Sequence, residues 1–171
     1  PDLDLYDSTR LNTEQQIELA KRVEAAAMSM DERVTNSEGG DFDSSSGRVV
    51  LGNSHGFLGE YQSSSFSMSV SPIATDPETG AMQRDAWYDV QRKFAKLATP
   101  ESVGLEAARR TVRKLGAKKV ATQRVPVVFD SETAGSLMGN LCSAVSGYSL
   151  YKGASFLAGQ LEKPLAPEYV T

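Results

Sequence analysis

The spacing of apolar residues changes period twice along this chain. Across residues 13–30, Leu19, Val23, Ala26 and Met30 recur at helical spacing and leave Glu14, Glu18, Lys21 and Arg22 for solvent, which predicts an amphipathic helix. Thr13 and Gln16 stand at its start with the spacing of a capping box. From Arg33 the period shortens to two. Runs of β-prone residues at 33–36, 48–52, 57–75 and 81–92 alternate with clusters of Gly, Ser and Asn, which predicts four strands of an antiparallel meander.

The third run alternates most cleanly. Phe66, Met68 and Val70 point one way, and Ser63, Ser65, Ser67, Ser69 and Ser71 the other. Asp76-Pro77-Glu78-Thr79-Gly80 supplies the turn into the fourth run, where Met82, Ala86, Tyr88 and Val90 alternate with Gln83, Asp85, Trp87 and Asp89. Helical signals then return. Thr99-Pro100-Glu101 joins a capping hydroxyl, a proline suited to the first turn and an acid that complements the dipole, and the helix it opens runs to Leu115 before Gly116 stops it. Arg124-Val125-Pro126-Val127-Val128-Phe129 reads as a short strand whose proline places it at an edge or a strand start. Asp130-Ser131-Glu132 begins a long small-residue helix reaching about residue 146. The fold class is α+β: an antiparallel β-meander sheet packed against helices in residues 1–119, then a strand–helix unit that begins a second domain in residues 120–171.

Composition narrows the chemistry. A net charge of −4 gives the whole molecule no pull toward nucleic acid or anionic membrane. No apolar run approaches the length of a membrane span, and no basic-then-apolar leader opens the chain, so the expected address is the cytoplasm. Pro1 is not an initiator and the tail carries no closing signal, so the chain reads as a fragment. One cysteine excludes an internal disulfide, and a single histidine serves the whole chain. Catalytic zinc usually needs three protein ligands, mostly His and Cys, and here His55 and Cys142 stand far apart with no His-Glu-x-x-His spacing. Cys142 lies in an apolar helical stretch and reads as a small buried hydrophobe.

Three further patterns carry candidate chemistry. Gly52-Asn53-Ser54-His55-Gly56 fits the Gly-x-Ser-x-Gly elbow of serine hydrolases, but that elbow needs a helix after the serine and a base that reaches it. The following residues read as strand, and adjacent residues on extended backbone would turn Ser54 and His55 to opposite faces. A Gly-bounded turn is the better reading of Ser54. Arg109, Arg110, Arg113, Lys114, Lys118 and Lys119 form a basic cluster without interleaved aromatics, and cations at a helix C-terminus already have a local reason in the macrodipole. Gly135, Gly139, Ser143 and Gly147 recur every four residues beside Leu137, Leu141 and Val145. Each helical glycine costs up to about 1 kcal/mol relative to alanine, so their register suggests close approach: packing within the domain, a subunit interface, or a wall for an extended peptide.

Taken in order, several segments resemble the TldD/PmbA family, on its PmbA-type side. They are Asn36-Ser37-Glu38-Gly39, Gly52-Asn53-Ser54-His55-Gly56, Met82-Gln83-Arg84-Asp85-Ala86-Trp87-Tyr88, Ala107-Ala108-Arg109-Arg110-Thr111, Val125-Pro126-Val127-Val128-Phe129, Ala144-Val145-Ser146-Gly147 and Leu150-Tyr151-Lys152-Gly153-Ala154-Ser155-Phe156-Leu157. The resemblance implies a cytosolic protease made of two related subunits, once described as a modulator of DNA gyrase. In that family the TldD-type subunit carries His-Glu-x-x-x-His, binds zinc and cleaves unfolded peptides. The helix equated with that position here, residues 136–146, contains neither His nor Glu. The resemblance therefore implies a non-catalytic partner subunit without its own metal or catalytic residues, with zinc on a TldD-like partner and unfolded peptide as substrate. Ser63, Ser65, Ser67 and Ser69, or Gly135, Gly139, Ser143 and Gly147, are expected to border the peptide path or an interface. The alternatives are a non-enzymatic binding protein that regulates a nucleic-acid enzyme such as DNA gyrase and, third, a serine hydrolase using Ser54.

Overall fold

The structure, a computed structural model, describes residues 3–165. It separates into two compact units, residues 1–119 and 120–171. The first contains α1 (Thr13–Met28), β1 (Val34–Gly52), β2 (Leu58–Thr75), β3 (Met82–Arg84), β4 (Trp87–Gln91) and α2 (Pro100–Val112). The second contains α3 (Ser131–Val145) and α4 (Gly147–Tyr151).

β2 is the middle of an antiparallel sheet. β1 pairs with it from Val34↔Ala74 to Gly52↔Leu58, and β3 and β4 both pair with its other edge. The strands are partitioned differently from the sequence expectation. Runs 33–36 and 48–52 are one strand, because the Gly- and Ser-rich stretch between them stays in the ladder, with Ser44↔Phe66, Ser45↔Ser65 and Ser46↔Ser64. A partner of nearly equal length overrides the weak β-propensity of those residues. A register shift between Ser37 and Gly40 interrupts the ladder, and Gly39 there takes φ +120°. The fourth run is instead interrupted at Asp85-Ala86, giving β3 and β4.

Alternation in β2 follows the predicted phase. Phe66, Met68, Val70, Pro72 and Ala74 are buried, whereas Ser63, Ser65, Ser67, Ser69 and Ser71 are half-buried on the other side. The inner face meets α1 and α2 in a core of Val23, Ala27, Val34, Met68, Val70, Val103, Ala107 and Ala108. Two glycines let α1 lie close. A Cβ on Gly40 would come within 2.4 Å of the Ala20 carbonyl oxygen, and one on Gly104 within 2.5 Å of that of Val23. α1 is thus fitted between β1 and α2 by the absence of two side chains.

In β4 the apolar set faces away from the helices. Tyr88 and Val90 are 56% and 50% exposed, while Trp87 pairs with Val70 and packs on the core. The inward polar residues are held by specific partners. Asp89 Oδ2 accepts from the Ala98 N–H at 2.7 Å, and Asp85 lies 3.0 Å from Lys114 Nζ and 3.7 Å from Arg110 Nε. Hydrogen bonding makes this inversion of pattern tolerable.

The caps shift by one residue at α1. Asn12 rather than Thr13 is the cap: its Oδ1 accepts from the Gln15 N–H, and Gln15 Oε1 accepts from the Asn12 N–H. Thr99 caps α2 as expected, accepting from the Ser102 N–H, but that helix ends at Val112 and a turn carries the chain to Gly116 at φ +72°. The Asp76 turn also forms, with Asp76 Oδ1 accepting from the Glu78 and Thr79 N–H groups.

The segment before α1 is knitted to the sheet through Asp7 and Ser64. Ser64, on the inner face, receives the Asp7 N–H at 2.9 Å and donates to the Arg92 carbonyl at 2.8 Å. Asp7 accepts from the N–H groups of Thr9 and Phe94. Bonds from Thr9, then from Phe94, together with the Lys93 charge, outweigh burial and hold the Asp7 carboxyl below its ordinary value of 3.8. A depressed carboxylate contributes stability above its unfolded pKa and loses it as pH falls through the folded value. Asp31 moves the same way, to about 2, through the Arg33 side chain and then the Arg33 N–H. Urea midpoints should therefore fall as the pH drops from about 5 to about 2, and Asp7→Asn should make that fall shallower while lowering the midpoint near neutrality. An unchanged pH slope in Asp7→Asn would count against the assignment.

The second unit holds little buried surface of its own. Asp130 caps α3 through the Glu132 N–H, and Ser155 Oγ donates to the Ala144 carbonyl at 2.6 Å. Residues 124–129 form no strand, contrary to the sequence expectation. No described strand of that unit offers them a ladder, and Val127 and Val128 are 65% and 97% exposed. A β-prone run becomes a strand only when a neighbour takes its backbone groups.

Candidate peptide-contacting surface

The outer face of the sheet is built by register. On β2 the serine row runs along the middle, Ser69 opposite Asp41 on β1 and Tyr88 on β4, Ser67 opposite Asp43 and Val90. Ser65 and Ser63 continue the row opposite Ser45 and Gly47. Both α-helices of this unit pack on the other face, so the hydroxyls stand on the side that neither helix covers. Past Ser65 the sheet narrows to a two-stranded arm formed by β1 and β2, crossed by the Arg48–Glu60 ion pair. Val49, Leu51 and Tyr61 on one side of the arm and Val50 and Leu58 on the other are all exposed.

The tip of this arm holds Ser54 and His55. Asn53 Oδ1 accepts from the N–H groups of His55 and Phe57, Gly56 takes φ +84°, and β2 follows directly. This is a strand–turn–strand tip with both residues exposed, so the helix a nucleophile elbow needs is missing. Ser54 and His55 lie in the turn itself rather than on extended backbone.

Half of the basic cluster, Arg109, Arg110 and Lys114, is engaged in internal pairs. Arg109 bonds Glu106 at 2.8 Å, Lys114 bonds Asp85, and Arg110 lies 4.5 Å from the centre of the Trp87 ring. Burial raises the Asp85 carboxyl, but Lys114, the Ala86 N–H and Arg110 together pull it below its ordinary value. Trp87 is invisible to a search for aromatics interleaved with the basic residues, because tertiary packing alone brings it to the cluster.

The small-residue pattern on α3 divides differently. Gly135, Gly139 and Ser143 lie on α3, whereas Gly147 opens α4 after Ser146 leaves helical geometry at ψ 130°. A Cβ added to Gly135, Gly139 or Gly147 would meet nothing within 4 Å, so close backbone approach among the described residues occurs at Gly40 and Gly104 instead. Cys142 is exposed, not buried, because α3 turns only Ala144 fully inward. Among the described residues, no three His, Cys, Asp or Glu side chains gather as metal ligands. No helix among them is long and apolar enough to cross a membrane.

Comparison with known proteins places this geometry. Residues 6–115 match the model of the PmbA/TldA metallopeptidase central domain, and residues 122–171 that of the C-terminal domain. The chain is 43% identical over 171 residues to Metalloprotease PmbA of Escherichia coli O157:H7, covering 38% of that protein. It is 39% identical over 169 residues to a Metalloprotease PmbA homolog of Haemophilus influenzae, covering 37% of it. The chain therefore spans well under half the length of these relatives. A crystal structure from Bacteroides thetaiotaomicron, provisionally labelled a modulator of DNA gyrase, superposes with TM-score 0.86 at 32% identity over 97% of this chain and 38% of its own. One from Thermotoga maritima, similarly labelled, gives TM-score 0.86 at 22% identity over 95% and 37%, a likeness of fold. On the two domain matches and these identities, the chain belongs to the PmbA/TldD metallopeptidase family.

Proposed function

We propose that this chain serves as the PmbA-type, non-catalytic partner of a TldD-like, zinc-bearing subunit that cleaves unfolded peptides in the cytoplasm. The observation that carries this reading is chemical. A chain matching metalloprotease domains along its length brings no three metal-ligating side chains together among its described residues, and its α3 has neither His nor Glu in the segment 136–146. Hydrolysis then belongs to the partner, and this chain supplies shape. The serine row, or α3, borders the path of an extended chain, where hydroxyls and small side chains leave room and hydrogen bonding does not depend on substrate sequence. A role as a nucleic-acid regulator has less support, since Arg109, Arg110 and Lys114 are already engaged with this chain's own acids and Trp87.

Co-purification of the intact protein with a TldD-like relative, followed by peptidase assays of each alone and of both together, tests the reading. The mixture should cleave an unfolded peptide in a chelator-sensitive manner, and this protein alone should be inactive and hold no stoichiometric zinc. Chelator-sensitive cleavage by tag-free protein without any partner would refute it.

A further inference from the structure

The outer sheet face carries more than a row of hydroxyls. Its two rows across the strands, Asp41–Ser69–Tyr88 and Asp43–Ser67–Val90, repeat the same order of carboxylate, hydroxyl and apolar side chain. We propose that these two rows form a docking surface for an extended polypeptide segment carrying lysine or arginine at positions two apart. This inference rests on the peptide-handling reading above and adds a preference to it.

The geometry argues for a strand-like occupant. Successive same-face positions on β1 and β2 repeat every two residues, about 6.8 Å, which is also the repeat of side chains on one side of an extended peptide. Asp41 and Asp43 are exposed, and none of the ion pairs among the described residues engages either of them. A chain lying along the serine row can therefore present a cation to each in turn. Tyr88 and Val90, on the far side of the row, offer apolar surface to the stems of long side chains or to neighbouring residues. β2 cannot itself accept a strand at this height, because both of its edges are already paired. A chain lying along the serine row on β2 therefore meets it through side chains on the face, and charge decides which peptides stay.

Short fluorescent peptides of alternating Lys-Thr, Gln-Thr and Glu-Thr, titrated into the intact protein and read by anisotropy, test this directly. The Lys-Thr peptide should bind about tenfold more tightly than Glu-Thr at low ionic strength, and the gap should shrink with salt. The double variant Asp41→Asn/Asp43→Asn should erase the gap without changing Gln-Thr binding, and Tyr88→Ser should weaken all three peptides. Equal binding of the three by the unmodified protein would overturn the proposal, as would a preference that survives the double variant. A change in sedimentation caused by these substitutions would instead assign the face to a second copy of the chain and also overturn it. The mixed-subunit peptidase assay separates the two readings: activity retained without any charge preference sinks only this inference, and absent activity sinks the partner role.

Discussion

Gly104→Ala is expected to lower the stability of the first unit by about 1–3 kcal/mol, the usual range for forcing a methyl into a filled contact. An added Cβ would sit 2.5 Å from the Val23 carbonyl oxygen, 2.7 Å from the Ala26 Cβ and 2.8 Å from the Ala27 nitrogen. Two of those atoms are backbone, so relief requires moving α1 as a body. Helix propensity alone would favour alanine by about 1 kcal/mol, and the clash should outweigh it. Gly40→Ala should behave likewise, since its Cβ would meet the Ala20 carbonyl oxygen at 2.4 Å from the β1 side of the same helix. Gly135→Ala is the control, because nothing lies within 4 Å there and only propensity acts. Urea midpoints should drop for Gly104→Ala and Gly40→Ala and hold or rise for Gly135→Ala. A neutral Gly104→Ala would mean that α1 does not press on α2 as described.

Met68→Ala should cost about 2–5 kcal/mol, while Ser69→Ala, one residue along the same strand, should stay within about 0.5 kcal/mol. Met68 is 1% exposed and belongs to the core cluster with Val23, Val70 and Val103, so truncation leaves a cavity between sheet and helices. Ser69 stands half-buried on the opposite face, between Asp41 and Tyr88, with neither α1 nor α2 above it. Denaturant unfolding of the two variants measures the contrast. Equal losses would show that the serine face is packed against something, and a small loss at Met68 would mean the face assignment is reversed. A neutral Ser69→Ala also makes serine-row substitutions clean probes of peptide handling.

Much of the first unit is legible in the sequence. Helical spacing locates α1 and α2, Thr99-Pro100 marks the start of α2, and the serine alternation gives the right phase for β2. Those signals are local, set by capping chemistry and by which side of an element meets oil. The long β1 is not legible, because its Gly- and Ser-rich middle has no strand preference until β2 supplies a ladder beside it. The outward turn of Tyr88 and Val90 is hidden for a similar reason: Asp85 finds its partners on α2 and just beyond it, and Asp89 finds Ala98. The scarcity of imidazole and thiol, by contrast, needs only counting, since one histidine and one cysteine appear in the letters themselves.

Local order in the chain sets the amphipathic segments, the caps that start them, and the shortage of imidazole and thiol; these depend on composition and on neighbours a few residues away. Three-dimensional packing alone settles which glycines admit a neighbouring backbone and leaves the β-prone residues 124–129 unpaired. It also aligns carboxylates, hydroxyls and apolar groups from three strands in rows. Those outcomes depend on strand register and on close approach between segments distant in sequence, which no local window contains.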